Sequence, residues 1–515
     1  MGRLRLVGPQ GLAALLLAAC GGGDGESTRA TETALGIAST ATCEKRVNDS
    51  FDKLLECVTL AGVREHQAAL QAIADANGGT RAAGLPGYEE SVEYVRAKLV
   101  AAGYQVTLNA FPFVFVPPPT LRQLTPVTAT YETGAFTGTG YGEITAGVTP
   151  VDINLVPPRA STSGCEAADF AGFPAGNIAL IQRGTCTFAV KALNAAAAGA
   201  SAVIIFNQGD TPLREDLIIG TLGGTNVVNI PVVGASFANG QALAQPGSTA
   251  YVKVDPPRDI TLNNVIAESK DGDPNNVVMI GAHLDSVQRG PGINDNGSGS
   301  AAILAVAQRL ANVKPRNKLR FAWWGAEEAG LVGSTAYVNG LTQAEKDKIA
   351  LYLNFDMVGS PNYVFFIYDG DNSDGVGAPA GPEGSAQIEK VFESFFNLQG
   401  IPFKGTDFTG RSDYGPFIAN GIPSGGLFTG AEGIKTAEEA AIWGGTAGQP
   451  YDPCYHLACD TFANNSDKAL DVNADAIAYA TLKYAMSTQD VNGQRPKGNF
   501  KNKKVIVPYP PAPAQ

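Results

Sequence analysis

The sequence predicts an α/β fold: a mostly parallel mixed sheet flanked by helices, with an inserted β-rich α+β domain. Three observations carry that reading. From Asp259 onward, continuous apolar strands alternate with helical segments, the pattern of a parallel sheet covered on both faces. Residues 116–255 instead show short β-like runs punctuated by Gly and Pro, and they separate that half from two helices and a strand upstream. Metal-binding residue types fall directly after the apolar strands, where sites collect in such sheets.

The N-terminus reads as an export signal. Arg3 and Arg5 precede an apolar run from Leu12 to Ala19, too short to span a bilayer, which ends in small residues and Cys20. A cysteine in that place resembles a bacterial lipobox, so residues 1–19 are expected to be removed and Cys20 acylated. An ordinary signal peptide is the other reading. Residues 20–42, rich in Gly, Ser, Thr and Ala, read as a tether. The expected location is the cell envelope, at the outer membrane or cell surface, with release as a secreted protein also open.

Periodicity predicts helices over 63–77 and 86–102, ended by Gly103, and a strand from Tyr104 to Phe111. The prolines at 117–119 break it. Within 116–255, Gly176 to Gly184 reads as a strand and turn, Phe188 to Gly199 is an Ala-rich helix, and 202–206 is a buried strand. This stretch resembles a protease-associated domain, through Ile181-Gln-Arg-Gly-Thr-Cys186 and Asn229-Ile-Pro-Val-Val233. Beyond it come a strand at 277–280, a helix from Gly299 to Leu310, a strand at 319–324, a helix from Glu328 to Val338, and a strand at 349–355. Residues 43–115 and 256–490 are therefore expected to form one discontinuous domain. Residues 491–515 form a basic, Pro-rich tail.

The chain has 515 residues, 44% hydrophobic and 17% charged, enough for a sizeable core. Its net charge of −12 argues against a nucleic-acid partner. Seven cysteines suit an oxidising compartment: with Cys20 assigned to lipid, six remain. Sequence neighbours would pair as Cys43–Cys57, Cys165–Cys186 and Cys454–Cys459, although six cysteines allow 15 pairings. A monomer is expected.

Only three histidines occur. His66, in Arg64-Glu-His-Gln, has no ligand neighbours and is expected at the surface. His283 and His456 stand among carboxylates. With Asp295, Glu328 and Asp356 they make five candidate ligands. Imidazole with carboxylate and no thiolate suits a catalytic zinc or a related ion. Five ligands exceed one tetrahedral zinc and suit two ions about 3.5–4 Å apart sharing one carboxylate. Asp285 is placed to accept the free imidazole N–H of His283 and fix its tautomer. Glu327, beside a ligand, is the candidate general base. Taken singly, an Asp after a strand is usually a cap and a Glu pair at a helix start usually serves the helix dipole. The order His, Asp, Glu-Glu, Asp, His is what sets them apart.

The segments Ala282-His-Leu-Asp-Ser-Val287, Gly292-Ile-Asn-Asp-Asn-Gly297, Leu319-Arg-Phe-Ala-Trp-Trp-Gly-Ala-Glu-Glu328, Tyr352-Leu-Asn-Phe-Asp-Met357 and Cys454-Tyr-His456 resemble the zinc-dependent exopeptidase family 28, in its bacterial leucine-type aminopeptidase branch. The resemblance covers about 60–112 and 258–488. It implies the phosphorylase/hydrolase-like zinc exopeptidase fold and hydrolysis of the N-terminal peptide bond, of a large hydrophobic residue above all. It implies two zinc ions, one on His283 and Asp356, the other on Glu328 and His456, bridged by Asp295, with Glu327 as base. It places Arg411 and Tyr455 at the substrate carbonyl, and Met357 and Phe428 in the side-chain pocket. A calcium site of secreted actinomycete members is matched at Asp471 and Asp475, but its early aspartate falls near Cys57. Those members also lack the insertion, and they have His where this chain has Tyr414. Three rival readings are a carboxypeptidase of the same family, a one-zinc glutaminyl cyclase and an inactive binding protein.

Overall fold

The computed structural model describes residues 40–494. Cys20, the signal at 1–19, most of the tether and the tail beyond residue 494 lie outside the described residues.

Two sheets organise the chain. The larger has eight strands. Its centre is four parallel strands, in the spatial order Asn317–Trp324, Asp273–His283, Ile349–Phe355 and Ser424–Phe428. Their cores are buried on both faces, which is why Val277, Val278, Met279 and Ile280 form one apolar run rather than an alternation. Helices Leu60–Ala76, Pro86–Ala102, Gly297–Leu310 and Asp467–Met486 pack into the core on one face. Helices Val332–Gly340 and Tyr414–Ala419 pack over a smaller cluster centred on Trp324, Tyr352 and Phe417. Gly103 ends its helix as expected, at φ 93°.

The strand Gln105–Phe115 pairs antiparallel with Arg258–Glu268 along its whole length, so the early segment and the late segment share one sheet. That pairing begins with Phe115 opposite Arg258. The inserted domain thus leaves and rejoins the sheet at neighbouring residues, an arrangement that leaves the host sheet undisturbed. The insertion carries the second, seven-stranded sheet. Its parallel strands Ile178–Gln182, Ala202–Phe206 and Val232–Ala235 are fully buried, with helices Phe188–Ala197 and Phe237–Leu243 against them. Glu132 of the insertion pairs with Arg289 of the larger unit at 2.5 Å, and Gln288 donates to the Val116 carbonyl.

All six remaining cysteines are joined, Cys43 to Cys57, Cys165 to Cys186 and Cys454 to Cys459. Among the described residues no helix is long and apolar enough to cross a membrane.

Two expectations need correction. The helix expected from Glu328 starts only at Val332. Residues 325–331 form a loop in which Ala326 and Leu331 take positive φ, and the amides of Gly330 and Leu331 both close onto the Glu327 carbonyl. Those amides, and the Glu327 and Glu328 amides described below, are committed to loop bonds, which overrides the helical propensity of the segment. His66 is not at the surface: it is 2% exposed, with Nδ1 2.8 Å from the Tyr94 hydroxyl and Nε2 2.9 Å from Gln308. Its helix packs against Gly297–Leu310, and the polar run Arg64-Glu-His-Gln hid which face was turned inward.

Burial holds the His66 imidazole neutral, pushing its pKa down to about 4. The folded value lies below the unfolded one, so the resulting stability is present above pH 6.5 and lost as pH falls toward 4. The drop is of order 3 kcal/mol. Urea titrations of the wild type between these pH values should show it, and His66→Gln should flatten the slope; equal slopes would contradict the assignment.

Candidate metal centre

The carboxyl ends of the central parallel strands bring the expected residues together. His283 is the last residue of its strand, and Asp356 follows the next strand directly. His283 Nε2 lies 3.2 Å from Asp295 Oδ1 and 3.4 Å from Asp356 Oδ1. His456 Nε2 lies 3.2 Å from Asp295 Oδ2 and 3.0 Å from Glu328 Oε2. Two triads therefore exist, each with its ligand atoms within 4.8 Å of one another, and Asp295 gives one oxygen to each. Glu327 Oε2 stands 3.9 Å from His283 Nε2. Ala326, Met357 and His456, each beside or within this set, have positive φ, a strained backbone concentrated where it aims the side chains.

The donor set fits divalent zinc. It holds imidazole and carboxylate without thiolate. Two of its carboxylate oxygens, Glu328 Oε1 and Asp356 Oδ1, are buried without any hydrogen bond, a costly state that a cation relieves. Burial opposes charge on both imidazoles. Hydrogen bonds to Asp295 and Glu328 nevertheless hold His456 up at about 10, and the carboxylates around His283 raise it as well.

The supports around the ligands were mostly invisible in sequence. A directed hydrogen-bond chain runs from the Trp324 indole N–H to the Tyr352 hydroxyl, then to Asn354 Oδ1, from Asn354 Nδ2 to Ser412 Oγ, and from that hydroxyl to Asp356 Oδ2 at 2.6 Å. Asp460 accepts the amide N–H groups of Asn294 (2.8 Å) and Asp295 (2.9 Å), one on each oxygen. Asp452 accepts from Asn294 Nδ2 at 2.7 Å and from the Cys454 amide. The loop that carries His456 thereby grips the backbone of the residue between the two triads. The Cys454–Cys459 bond closes that loop. Arg81, fully buried, donates to the carbonyls of Leu284, Pro291 and Gly292 and pins the strand end to the Asp295 loop.

Asp285 does something other than expected. The nearest partner of His283 Nδ1 is the Asp285 backbone carbonyl at 3.1 Å, whereas its carboxylate stands 3.7 Å away. That carboxylate instead accepts the Glu327 and Glu328 amides at 3.1 and 3.4 Å. The residue sits between the two loops and serves both, one through its main chain and one through its side chain.

The triads open into a cavity of about 130 Å³, close to the ~150 Å³ that accepts a benzene-sized guest. Met357, Phe428, Tyr368 and Tyr414 supply apolar wall, and Arg411 and Tyr455 stand at the same cavity. Arg411 pairs with Glu432 at 2.6 Å and donates to the Tyr455 hydroxyl at 3.2 Å. The Tyr455 ring stacks on His456. Asp471 and Asp475 join no group of three candidate ligands among the described residues, and Cys57, near the early position of the calcium site, is bonded to Cys43.

Residues 264–481 match the model of peptidase family M28, and 151–243 match the PA domain. An aminopeptidase of Pseudomonas aeruginosa is 52% identical over 451 residues, 86% of this chain and 84% of that one. The chain belongs to peptidase family M28. A probable lipoprotein aminopeptidase of Mycobacterium tuberculosis, LpqL, is 43% identical over 85% of this chain and 87% of its own length. Leucine aminopeptidase 2 of Trichophyton rubrum is 48% identical over 64% of this chain and 66% of its own. Among solved structures, a zinc aminopeptidase from Bacillus subtilis superposes with a TM-score of 0.59 at 25% identity, covering 84% of this chain and 98% of that one. This M28 peptidase thus carries its PA domain between the first edge strand and the rest of its catalytic sheet.

If Asp460 positions Asp295, Asp460→Ala should weaken zinc binding about 10- to 100-fold, read by competition with a chromogenic chelator. Unchanged zinc affinity would show that Asp295 needs no such support.

Proposed function

We propose that this aminopeptidase removes the N-terminal residue of peptides at a two-zinc site, with Glu327 as its proton carrier. One ion would sit on His283 and Asp356, the other on Glu328 and His456, with Asp295 between. Bound there, the pair would polarise the scissile carbonyl and make a water acidic enough to attack it. The observation that carries the two-ion reading is the shared Asp295, whose two oxygens face two different imidazole–carboxylate pairs.

The chain's own residues do the rest. The substrate's cationic α-amino group is held among Glu327 and Asp356, in a cavity rich in carboxylate. Its side chain enters between Met357 and Phe428. Glu327 takes the proton of the attacking water and passes it to the leaving amine. Burial pushes the Glu327 carboxyl well above the carboxylate range, and Asp356, Asp413 and Glu328 add to this against the pull of His283. Burial, reinforced by Asp295 and Glu328, also holds the Tyr455 phenol above its ordinary range. It stays an O–H donor for the developing oxyanion, with Arg411 polarising it. A donor in that role is worth about 3–4 kcal/mol.

The pairing of Arg411 with Glu432 weighs against the carboxypeptidase reading, because the one guanidinium lining the cavity among the described residues already has its carboxylate. The leucine aminopeptidase relatives and the apolar walls support a large hydrophobic first residue. Arg3, Arg5, the apolar run to Ala19 and Cys20, together with the lipoprotein relative, support an exported, lipid-anchored enzyme.

Glu327→Ala should retain zinc while kcat falls by at least ~10²–10⁴, measured on leucyl-p-nitroanilide with metal analysis of the same sample. Near-wild-type kcat would remove Glu327 from the role. N-blocked peptides should be inert, and cleavage of them from the C-terminus would overturn the aminopeptidase reading.

A further inference from the structure

The far wall of the side-chain cavity is not apolar. Thr406, Asp407 and Thr409 line it together with Tyr368 and Phe428. Strands Phe366–Tyr368 and Lys404–Thr406 run parallel, with Tyr368 opposite Thr406, so Asp369 and Asp407 emerge together at their carboxyl ends. Asp407 is half-buried, and one carboxylate oxygen, Oδ2, accepts the Ala378 amide at 2.8 Å. Among the described residues it forms no ion pair. The nearby cations are already committed: Lys404 to Glu439 at 2.8 Å and Arg411 to Glu432.

Behind this wall negative charge accumulates. Asp369, Asp371 and Glu389 place carboxylate oxygens within 4.8 Å of one another. Asp374 reaches back onto Gly405, where even a Cβ would meet its Oδ2 at 2.2 Å. The Asp369 amide is bonded to the Thr406 carbonyl, so this acidic loop is fastened directly to the cavity wall. A cavity lined by apolar side chains and by a carboxylate that forms no ion pair matches a side chain of the same design. Lysine and arginine lay an aliphatic stem along apolar surface and keep a cationic head at the tip.

Resting on the aminopeptidase reading above, we propose that Asp407 makes this pocket accept a basic N-terminal residue as well as a hydrophobic one. The methylene stem lies on Met357 and Phe428, and the ammonium or guanidinium meets Asp407 in a charge-assisted hydrogen bond. Asp407 is then a specificity residue of the substrate pocket, and the acidic loop 369–374 adds attraction to it.

The test compares lysyl- and norleucyl-p-nitroanilide, which share a stem and differ in the charged tip, on the zinc-loaded enzyme. The wild type should hydrolyse both, and rising salt should raise KM for the lysyl substrate only. In Asp407→Asn, which keeps an acceptor for the Ala378 amide, the ratio of lysyl to norleucyl kcat/KM should fall at least tenfold. Wild type that cleaves norleucyl but not lysyl substrate overturns the inference and leaves the aminopeptidase reading intact. An unchanged ratio in Asp407→Asn, or equal salt responses in the wild type, also overturns it. Failure to cleave lysyl, norleucyl and leucyl substrates alike would instead overturn the aminopeptidase reading itself.

Discussion

The structure turns on one carboxylate. Asp295 is almost fully buried and faces two imidazoles through its two oxygens. Around it stand Glu327, Glu328 and Asp356, with Asp285, Asp413 and Asp460 behind them, all buried or nearly so. Carboxylates crowded at this density repel one another and lose their water. Among the described residues, Arg81 is the one fully buried guanidinium, and its donors are spent on backbone carbonyls. A divalent cation among the carboxylates would relieve that repulsion, and the family to which the chain belongs uses zinc.

Everything near the site can be read as the means of holding that arrangement before a cation arrives. Asp460 and Asp452 tie the His456 loop to the Asn294–Asp295 backbone. Asp285 ties the His283 strand end to the Glu327–Glu328 loop. The relay from Trp324 to Asp356 runs through buried side chains and fixes a second candidate ligand. Each tie joins segments far apart in sequence, so the site is a property of the assembled sheet rather than of any loop. The inserted PA domain touches this assembly through Arg289, in the loop just before Asp295, and Glu132.

Much of this was legible in sequence, and the limit has a physical form. The candidate ligands stood out because imidazoles are few and because His283, Glu328 and Asp356 stand at or just after apolar runs that read as buried strands. The parallel sheet was legible for the same reason. The supports were not, because Asp460, Ser412 and Arg81 bind backbone groups or side chains from distant segments and have no local pattern of their own. Asp285 had the right neighbourhood, but the choice between its carbonyl and its carboxylate is made by the Glu327 loop. The late start of the helix after Glu328 escaped because local propensity favours helix where loop hydrogen bonds prevail. His66 escaped because a polar run does not reveal which of its faces meets Gly297–Leu310.

The central claim is that Asp295 divides the site into two cation positions, and zinc stoichiometry tests it most directly. Metal analysis of the purified protein should give two zinc ions per chain, and His456→Ala, which removes a ligand of one position only, should give one. A wild-type value of one, or a His456→Ala protein that still holds two, would contradict the account.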